Sequence, residues 1–312
     1  MYQSIVSLTS NNVSLPQSTE TELVVAELTN ANTAEVIEFL NRRPIHTVTM
    51  LGFIRDNGIQ SKLNRGTFYS CRNRLGRLEG VALIGHAILM ETTSDRALEA
   101  LAEVARTCNN THVIMGESER IECFWRQYQN GGQRMRVACR EFLFELHSPL
   151  RGVEKVDGFR AATLADLELV MPVHGQMAFE ESGINPMDSD REGFRARYTR
   201  RIQQGRTWVV IENGTLIFKA DLISETDDVA YIEGVWVNPE RRRNKFGLRC
   251  MSQLADLLLK SKKSICLLVK ATQVLTISIA RPDMNFEEST TPSFWILTFD
   301  VLELFDRLDL SI

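Results

Sequence analysis

The sequence predicts a mixed α/β fold of the α+β type, with a mostly antiparallel central sheet flanked by helices and two tandem domains of similar plan. Runs with the two-residue period of strands alternate along the chain with segments of helical period. The pair Asn213-Gly214 between two apolar runs is a strong hairpin signal, so hairpins and crossover helices occur together. With 312 residues, 44% of them hydrophobic, the chain can build two cores of ordinary size.

The first domain is predicted to span residues 22–150, after a polar leader at residues 1–21 that we expect to be disordered. Its first helix covers residues 33–41, because Val36, Ile37 and Leu40 share one face and Thr33 suits a helix start. Periodicity and turn residues then predict strands at 67–71 and 81–89 joined by a hairpin loop at 72–79, a helix at 95–107, a strand at 112–115, a helix at 120–128 and a strand at 142–146.

The second domain, residues 151–269, repeats this plan. Its predicted elements are a strand at 158–161, a capped helix at 163–168, a charged helix at 188–203, a hairpin of strands at 208–211 and 216–222, and a long strand at 231–237. The long strand ends at Asn238-Pro239, since proline removes a backbone donor. Apolar residues at helical spacing from Leu248 predict a helix, and residues 265–269 predict a strand.

A basic loop connects the long strand to that last helix. It reads Pro239-Glu-Arg-Arg-Arg-Asn-Lys-Phe-Gly247 and offers main-chain N–H groups and cationic side chains at a helix N-terminus. Such a loop holds an anion, and a diphosphate suits it best. The three arginines could instead form a nucleic-acid patch, but the net charge of −4 argues against general nucleic-acid binding.

The stretch from Tyr231 to Gly247 resembles the acetyl-CoA-binding motif of the GNAT-type N-acetyltransferases, Arg/Gln-x-x-Gly-x-Gly/Ala after a strand that ends in Val-x-Pro-Glu. The matching residues are Arg242-Arg-Asn-Lys-Phe-Gly247, in which Lys245 replaces the first glycine. The element order of residues 151–269 is also similar to that of the family. The resemblance implies an acetyl-CoA-binding domain there, and a first domain that is a diverged copy without the cofactor loop.

The resemblance also implies the site and its chemistry. Glu233 lies where a family base often lies, although a solvated strand carboxylate is an equally good interpretation. Acetyl-CoA as co-substrate, an amine acceptor and no metal are expected. The main-chain N–H groups of Val235 and Val237 would hold the pantetheine and the thioester carbonyl. The expected cofactor-binding residues are Val235, Trp236, Val237, Arg242, Arg243, Asn244, Lys245, Phe246, Gly247 and Leu248.

Residues 270–312 form a tail that departs from the family pattern, which has a helix carrying Asn-x-x-Ala-x-x-Phe-Tyr-x-x-x-Gly-Phe/Tyr followed by closing strands. A shifted reading frame joins the last base of each codon to the first two bases of the next. From Ala271 onward, codons for the written residues exist that would encode N-P-S-A-x-D-F-Y-R-K-A-G-Y-E-F-R in that frame. In that frame the genetic code permits only E where Met284 precedes Asn285. It permits only R, or a stop codon, where Phe286 precedes Glu287. We therefore interpret the tail as an out-of-frame reading and expect it to fold poorly. Codon degeneracy, which lets many motifs be fitted, is the alternative.

The remaining candidates favour plainer interpretations. His86 and His174 lie in apolar surroundings without ligand spacing, which indicates packed histidines rather than metal ligands or bases. Glu180 and Glu181 suit a solvated helix end or, by the resemblance, an acceptor groove. The alternative function is a non-catalytic remnant or partner-binding module with a degenerate CoA pocket.

Cysteine spacing and hydropathy bear on location. The six cysteines lack any C-x-x-C spacing and are typical of reduced thiols in a cytosolic protein. No apolar run approaches the roughly 18 residues of a membrane helix. We therefore expect a soluble, cytoplasmic protein without a membrane partner.

Overall fold

The computed structural model of the protein describes residues 22–149, 152–242, 245–270 and 294–299. The expected leader at residues 1–21 and the expected domain boundary at residues 150 and 151 lie outside the described residues. The elements of the first half are β1 (Leu23–Glu27), α1 (Thr33–Leu40), α2 (Pro44–Asn57), β2 (Gly66–Asn73), β3 (Leu78–Gly85), β4 (Ala87–Thr92), α3 (Asp95–Ala105), β5 (Val113–Glu117), α4 (Ser118–Tyr128) and β6 (Met135–Leu146).

The second half repeats this order as far as its fifth strand, which confirms the mixed α/β fold and the similar plan of the two halves. Its elements are β7 (Arg160–Ala161), α5 (Leu167–Ser182), α6 (Pro186–Ser189), α7 (Arg191–Gln203), β8 (Thr207–Glu212), β9 (Thr215–Glu225), β10 (Val229–Val237), α8 (Phe246–Leu258), β11 (Ser264–Lys270) and β12 (Phe294–Phe299). Among the helices that the structure describes, none has the length and apolar character needed to cross a bilayer.

The strands of both halves join in one sheet of order β1-β2-β3-β4-β5-β12-β6-β11-β10-β9-β8-β7. Parallel pairing occurs between β4 and β5 and between β10 and β11, and the other described pairs are antiparallel. The last strand of the first half, β6, pairs with β11 of the second half, while β12 lies between β5 and β6. The halves therefore exchange strands instead of forming separate sheets.

Several predicted elements need correction. The predicted strand at 81–89 is two strands, because the chain turns at His86 between β3 and β4. The predicted helix at 188–203 is divided at Asp190, whose side chain caps α7 by accepting from the N–H of Gly193. The predicted helix at 163–168 begins as a short turn and continues as α5 to Ser182, through Pro172.

Two further elements were missed or misjudged. Helix α2 was not predicted, although Pro44 in its first turn and Gly58 after its end are common helix boundary signals. In the tail that was expected to fold poorly, residues 294–299 form β12, so that expectation is wrong there. The run Phe-Trp-Ile-Leu-Thr-Phe consists of residue types that favour strands. Residues 271–293 and 300–312 lie outside the described residues.

Helix α2 of the first half packs on the sheet of the second half. Val48 of α2 joins a buried cluster with Val229, Tyr231 and Cys266. The hydroxyl of Ser224 donates to the carbonyl of Val48 at 2.7 Å. The face of β10 that carries Tyr231 is therefore covered by the first half.

An ion pair at this interface yields a stability prediction. Arg206, whose side chain is 8% exposed, donates from Nη2 to Asp56 Oδ1 of α2 at 2.9 Å and lies 3.4 Å from Glu225. Arg206→Met is expected to lower the free energy of unfolding by about 3 kcal/mol, because it leaves the Asp56 carboxylate without its main partner. Urea denaturation measures this effect. Arg72→Met, which removes the more exposed pair with Glu35, is the control and should cost about 1 kcal/mol or less. Equal losses in the two variants would contradict the interface role.

Candidate active site

Strand β10 pairs with β11 only along its first part, and its remaining edge on that side is unpaired in the ladder. The parallel ladder joins Val229–Ile232 to Ser264–Leu267, whereas β10 continues to Val237 and β11 continues beside β6 to Lys270. On its other edge β10 stays paired with β9 as far as Val237. The two parallel strands therefore diverge after Ile232, and the main chain of residues 233–237 faces the gap between them.

A β-bulge lies where the strands diverge. The register of β10 against β9 shifts between Glu233 and Trp236, and Gly234 has a φ of +58°. A Cβ atom on Gly234 would lie 2.9 Å from Asp221 Oδ2 and 3.1 Å from Lys219 Nζ. Glycine is therefore required here both by its conformation and by the close approach of charged groups.

The loop after β10 is held by its own side chains. Asn238 Oδ1 accepts from the N–H of Glu240 at 3.0 Å, and Arg242 Nε donates to the carbonyl of Val237 at 3.0 Å. Arg241 binds Glu212 at 2.6 Å, and its guanidinium carbon lies 5.0 Å from the ring centroid of Phe246. Arg241 therefore fixes the loop to its neighbours. The exposed Arg242 is the better candidate to bind an anion. Arg243 and Asn244 lie outside the described residues.

Lys245 stands in a left-handed conformation, with φ 58° and ψ 14°, directly before α8. This is the position where the matching motif has a glycine, and glycine adopts this conformation without steric cost. Gly247 in the first turn of α8 is also constrained, since a Cβ there would lie 3.0 Å from Val237 Cγ2. The backbone thus keeps the left-handed conformation that suits glycine, although residue 245 is a lysine.

Lys245→Gly and Lys245→Ala form a matched pair of variants that tests this strain. Glycine should give a free energy of unfolding about 1 kcal/mol higher than alanine, because only alanine pays the left-handed penalty. Thermal unfolding compared at one pH measures the difference. Equal stability of the two variants would show that the left-handed conformation at residue 245 is not maintained in solution.

The other expected cofactor-binding residues lie in different surroundings. Val235 and Val237 are buried with Phe246 in the core beneath α8, so their main chain rather than their side chains can face a ligand. Trp236 packs on the opposite side of the sheet, against the cluster that contains helices α5 and α7. Leu248 is half-buried on α8.

Glu233 is 4% exposed, which excludes the interpretation of a solvated strand carboxylate. Burial raises the pKa of Glu233 from 4.5 to about 8. The Tyr231 hydroxyl and Arg201 oppose this rise in pKa, while the nearby carboxylates of Glu141 and Asp221 add to it. Glu141 belongs to β6, so the surroundings of Glu233 come from both halves. A carboxyl group with a pKa near neutrality can exchange protons at physiological pH.

A buried polar cluster that the sequence interpretation missed adjoins Glu233. Asp221, the cross-strand partner of Glu233, accepts from the hydroxyls of Tyr198 and Thr207 and from Lys219 Nζ. The signal was the strand Leu216-Ile-Phe-Lys-Ala-Asp-Leu222, where alternation places two charged residues on one face of an apolar run.

Of the two histidines, His174 is packed, as expected, whereas His86 is half-buried and lines a cavity. The ring of His174 stacks on Phe194 at a centroid distance of 5.6 Å, and its Nδ1 lies 3.7 Å from Asp221 Oδ2. His86 lies against His112, with 4.4 Å between ring centroids. His174 therefore belongs to the polar cluster beside Glu233, whereas His86 lies in the first half.

The first half has a counterpart of this site in which arginines bind the carboxylate. Ala87 pairs with Val113 as Val229 pairs with Ser264, which makes Glu91 the positional equivalent of Glu233. Glu91 is bound by Arg43 and by Arg120, both of which also pair with Glu117. Residues 93 and 94 alone connect β4 to α3, too few to form a phosphate loop.

Comparison with known families and structures agrees with this geometry. Residues 176–274 match the model of the Acetyltransferase (GNAT) family. No curated protein is significantly similar to the sequence.

Solved structures share the fold over most of the chain. A Drosophila protein gives a TM-score of 0.60 at 13% identity, over 88% of this chain and 98% of its own. A GNAT-family acetyltransferase from Colwellia psychrerythraea gives 0.55 at 10% identity, over 90% and 100%. A tandem GNAT protein from the clavulanic acid biosynthesis pathway gives 0.54 at 15% identity, over 88% and 98%. The chain therefore shares its fold with these structures, among them a tandem GNAT protein.

Proposed function

We propose, from the match of residues 176–274 to the GNAT family model, that this protein is an N-acetyltransferase that moves the acetyl group of acetyl-CoA to an amine acceptor. The observation that carries the proposal is the open edge of β10 beside the start of α8. A gap between two parallel strands and a helix N-terminus next to it together offer main-chain N–H groups to an extended, anionic ligand.

The residues of the second half fit acetyl-CoA in two places. The main-chain N–H groups of Val235 and Val237 would bind the pantetheine arm and the thioester carbonyl. The N-terminus of α8, with Lys245, Gly247 and the exposed Arg242, would receive the diphosphate, because the helix dipole and cationic groups favour an anion there. Acetyl-CoA supplies the activated acetyl group, and no metal is part of the proposal.

Glu233 is proposed to take the proton from the acceptor ammonium, so that the free amine can react. Its pKa of about 8 suits this task, since the carboxylate and the ammonium then exchange a proton at little cost. The first half, residues 22–150, is proposed to be a diverged copy that contributes Glu141 and covers the sheet of the second half, residues 151–269.

A location in the cytoplasm completes the proposal. The six cysteines are free, and Cys71, Cys123, Cys250 and Cys266 are buried. Buried thiols without a disulfide are typical of proteins in a reducing compartment.

The second candidate function is a non-catalytic remnant, which the lysine at the left-handed position 245 favours because a Cβ there can hinder the diphosphate. An assay of thiol release from acetyl-CoA separates the two candidates. The chain would be offered a panel of primary amines that includes aliphatic polyamines, amino acid amides and a lysine-containing peptide.

An N-acetyltransferase releases CoA thiol with at least one of these amines, at an acetyl-CoA KM between about 1 μM and 1 mM, and Glu233→Gln suppresses the release. Binding of CoA without any turnover would favour the remnant. Absence of both binding and turnover would contradict the acetyltransferase proposal.

A further inference from the structure

Lys219 is a fully buried cation in the middle of β9, with 0% of its side chain exposed. Its Nζ donates to Asp221 Oδ2 at 2.7 Å and to the carbonyl oxygen of Gly234 at 2.6 Å. Lysine is rarely buried without a partner, and replacing a buried ion pair with apolar residues is often neutral or stabilising. The burial of this pair therefore needs a reason beyond the stability of the sheet.

The carboxylate that holds Lys219 is itself fixed. The Tyr198 hydroxyl donates to both oxygens of Asp221, at 3.0 and 2.9 Å, and Thr207 Oγ1 donates to Oδ1 at 2.8 Å. Burial alone would raise the pKa of Asp221, but Lys219, Arg201 and His174 outweigh it and lower the pKa to about 2. Asp221 thus remains charged and cannot move without breaking several hydrogen bonds.

The second acceptor of Lys219 is the carbonyl of the bulge. A bulge removes a residue from the regular ladder and leaves its main-chain groups to other partners. At Gly234 the partner of the carbonyl is the Lys219 ammonium, which reaches across from β9. The φ of +58° at Gly234 turns the chain at the bulge. The contact between Lys219 and the Gly234 carbonyl therefore helps to fix the direction of the peptide groups that follow.

We propose that Lys219 is a positioning residue: by binding the Gly234 carbonyl, it holds the bulge of β10 and aims the main-chain N–H groups of Val235 and Val237 into the gap between β10 and β11. The inference deepens the proposed function and rests on it, since the ligand in that gap is acetyl-CoA. Lys219 acts through the backbone and does not touch the reacting atoms.

The test uses the full chain with Lys219→Met, which keeps the length of the side chain and removes its charge. A second variant, Lys219→Met with Asp221→Asn, removes both charges and keeps the acceptor for Tyr198 and Thr207, so that the test survives if the single variant fails to fold. Arg72→Met is the control, because it removes an ion pair with Glu35 in the first half and should leave the stability nearly unchanged.

Two readouts are compared with the wild type: the dissociation constant of CoA from calorimetry, and the NMR signal and hydrogen exchange of residues 234–237. Both Lys219 variants should bind CoA about tenfold more weakly, the effect of losing one charge-assisted hydrogen bond. They should also shift the Gly234 carbonyl resonance and speed exchange at Val235 and Val237. Arg72→Met should alter neither.

CoA affinity within twofold of the wild type in a folded Lys219 variant would overturn the proposal. An unchanged Gly234 resonance in both variants would also overturn it. The second readout needs no ligand, so a wild type that fails to bind CoA would contradict the proposed function, while the NMR comparison would still decide whether Lys219 holds the bulge.

Discussion

Glu233→Gln is expected to lower kcat by a factor of about 10² to 10⁴, the usual contribution of a positioned general base. The substitution keeps the shape of the side chain and removes its ability to accept a proton from the acceptor ammonium. Because the pKa of Glu233 is about 8, wild-type kcat/KM should rise with pH up to that value as the carboxylate forms. The variant should lose this dependence. Steady-state rates between pH 6 and 9.5 measure both effects.

Glu91→Gln is the matched control for this experiment. Glu91 has the equivalent place in the first half but lies among Arg43, Arg120 and Glu117, away from the open edge of β10. Its substitution should leave kcat of the folded protein within about twofold of the wild type, whatever it does to stability. A similar loss of activity in both variants would contradict the assignment of Glu233 as the base.

The stability of Glu233→Gln at different pH values checks that it is folded. The pKa of Glu233 is higher in the folded chain than in the unfolded one, so the wild type loses stability as the pH rises from 4.5 through about 8. The variant has no such group and should be at least as stable as the wild type at pH 9. A lower stability at pH 9 would show that the carboxyl group has another structural role.

A chain that carries the shifted reading after Lys270 is expected to acetylate at least about a hundredfold faster than the chain as written. The match to the family model ends at residue 274, close to where the two readings diverge. By the resemblance, the restored helix would close the cofactor site, and the tyrosine of F-Y-R-K-A-G-Y would protonate the leaving thiolate. Rates of both purified chains with the same amine measure the difference.

The same shifted chain with phenylalanine in place of that tyrosine is the control. It should keep CoA affinity and lose most of the gain in kcat, because the helix remains while the acid is removed. Equal rates in the written and shifted chains would contradict the interpretation of the tail. Sequencing the gene across the codons for residues 264–300 would show which chain is made.

The sequence predicted the parts of this molecule that depend on local signals. The Asn213-Gly214 turn, the strand that ends before Pro239 and the amphipathic α8 are each fixed by a few neighbouring residues, and the structure has them close to their expected positions. Helix α2 was missed because its apolar residues do not lie on one face: it is covered by α1 on one side and by β9 and β10 on the other.

Of the candidate site, the sequence predicted only the strand and loop that form one continuous motif. Lys245 and Gly247 could be identified because the motif is continuous in sequence. The spacing of Lys219 and Asp221 places both on one face of β9, but the cluster with Tyr198 forms only when α7, β8 and β9 come together, so the sequence does not indicate the full set. The pairing of β6 with β11 likewise joins residues far apart in the chain, and it helps to bring Glu141 near Glu233.

An NMR titration of the chain with CoA tests the central claim most directly, since it reports both whether the ligand binds and where. The account predicts saturable shifts, with a Kd in the range of about 1 μM to 1 mM, at the amides of Val235, Val237 and Gly247. Amides of the equivalent β4 strand in the first half should stay unchanged. Absence of saturable shifts at residues 235–247, or shifts confined to the first half, would contradict the assignment of this edge as the acetyl-CoA site.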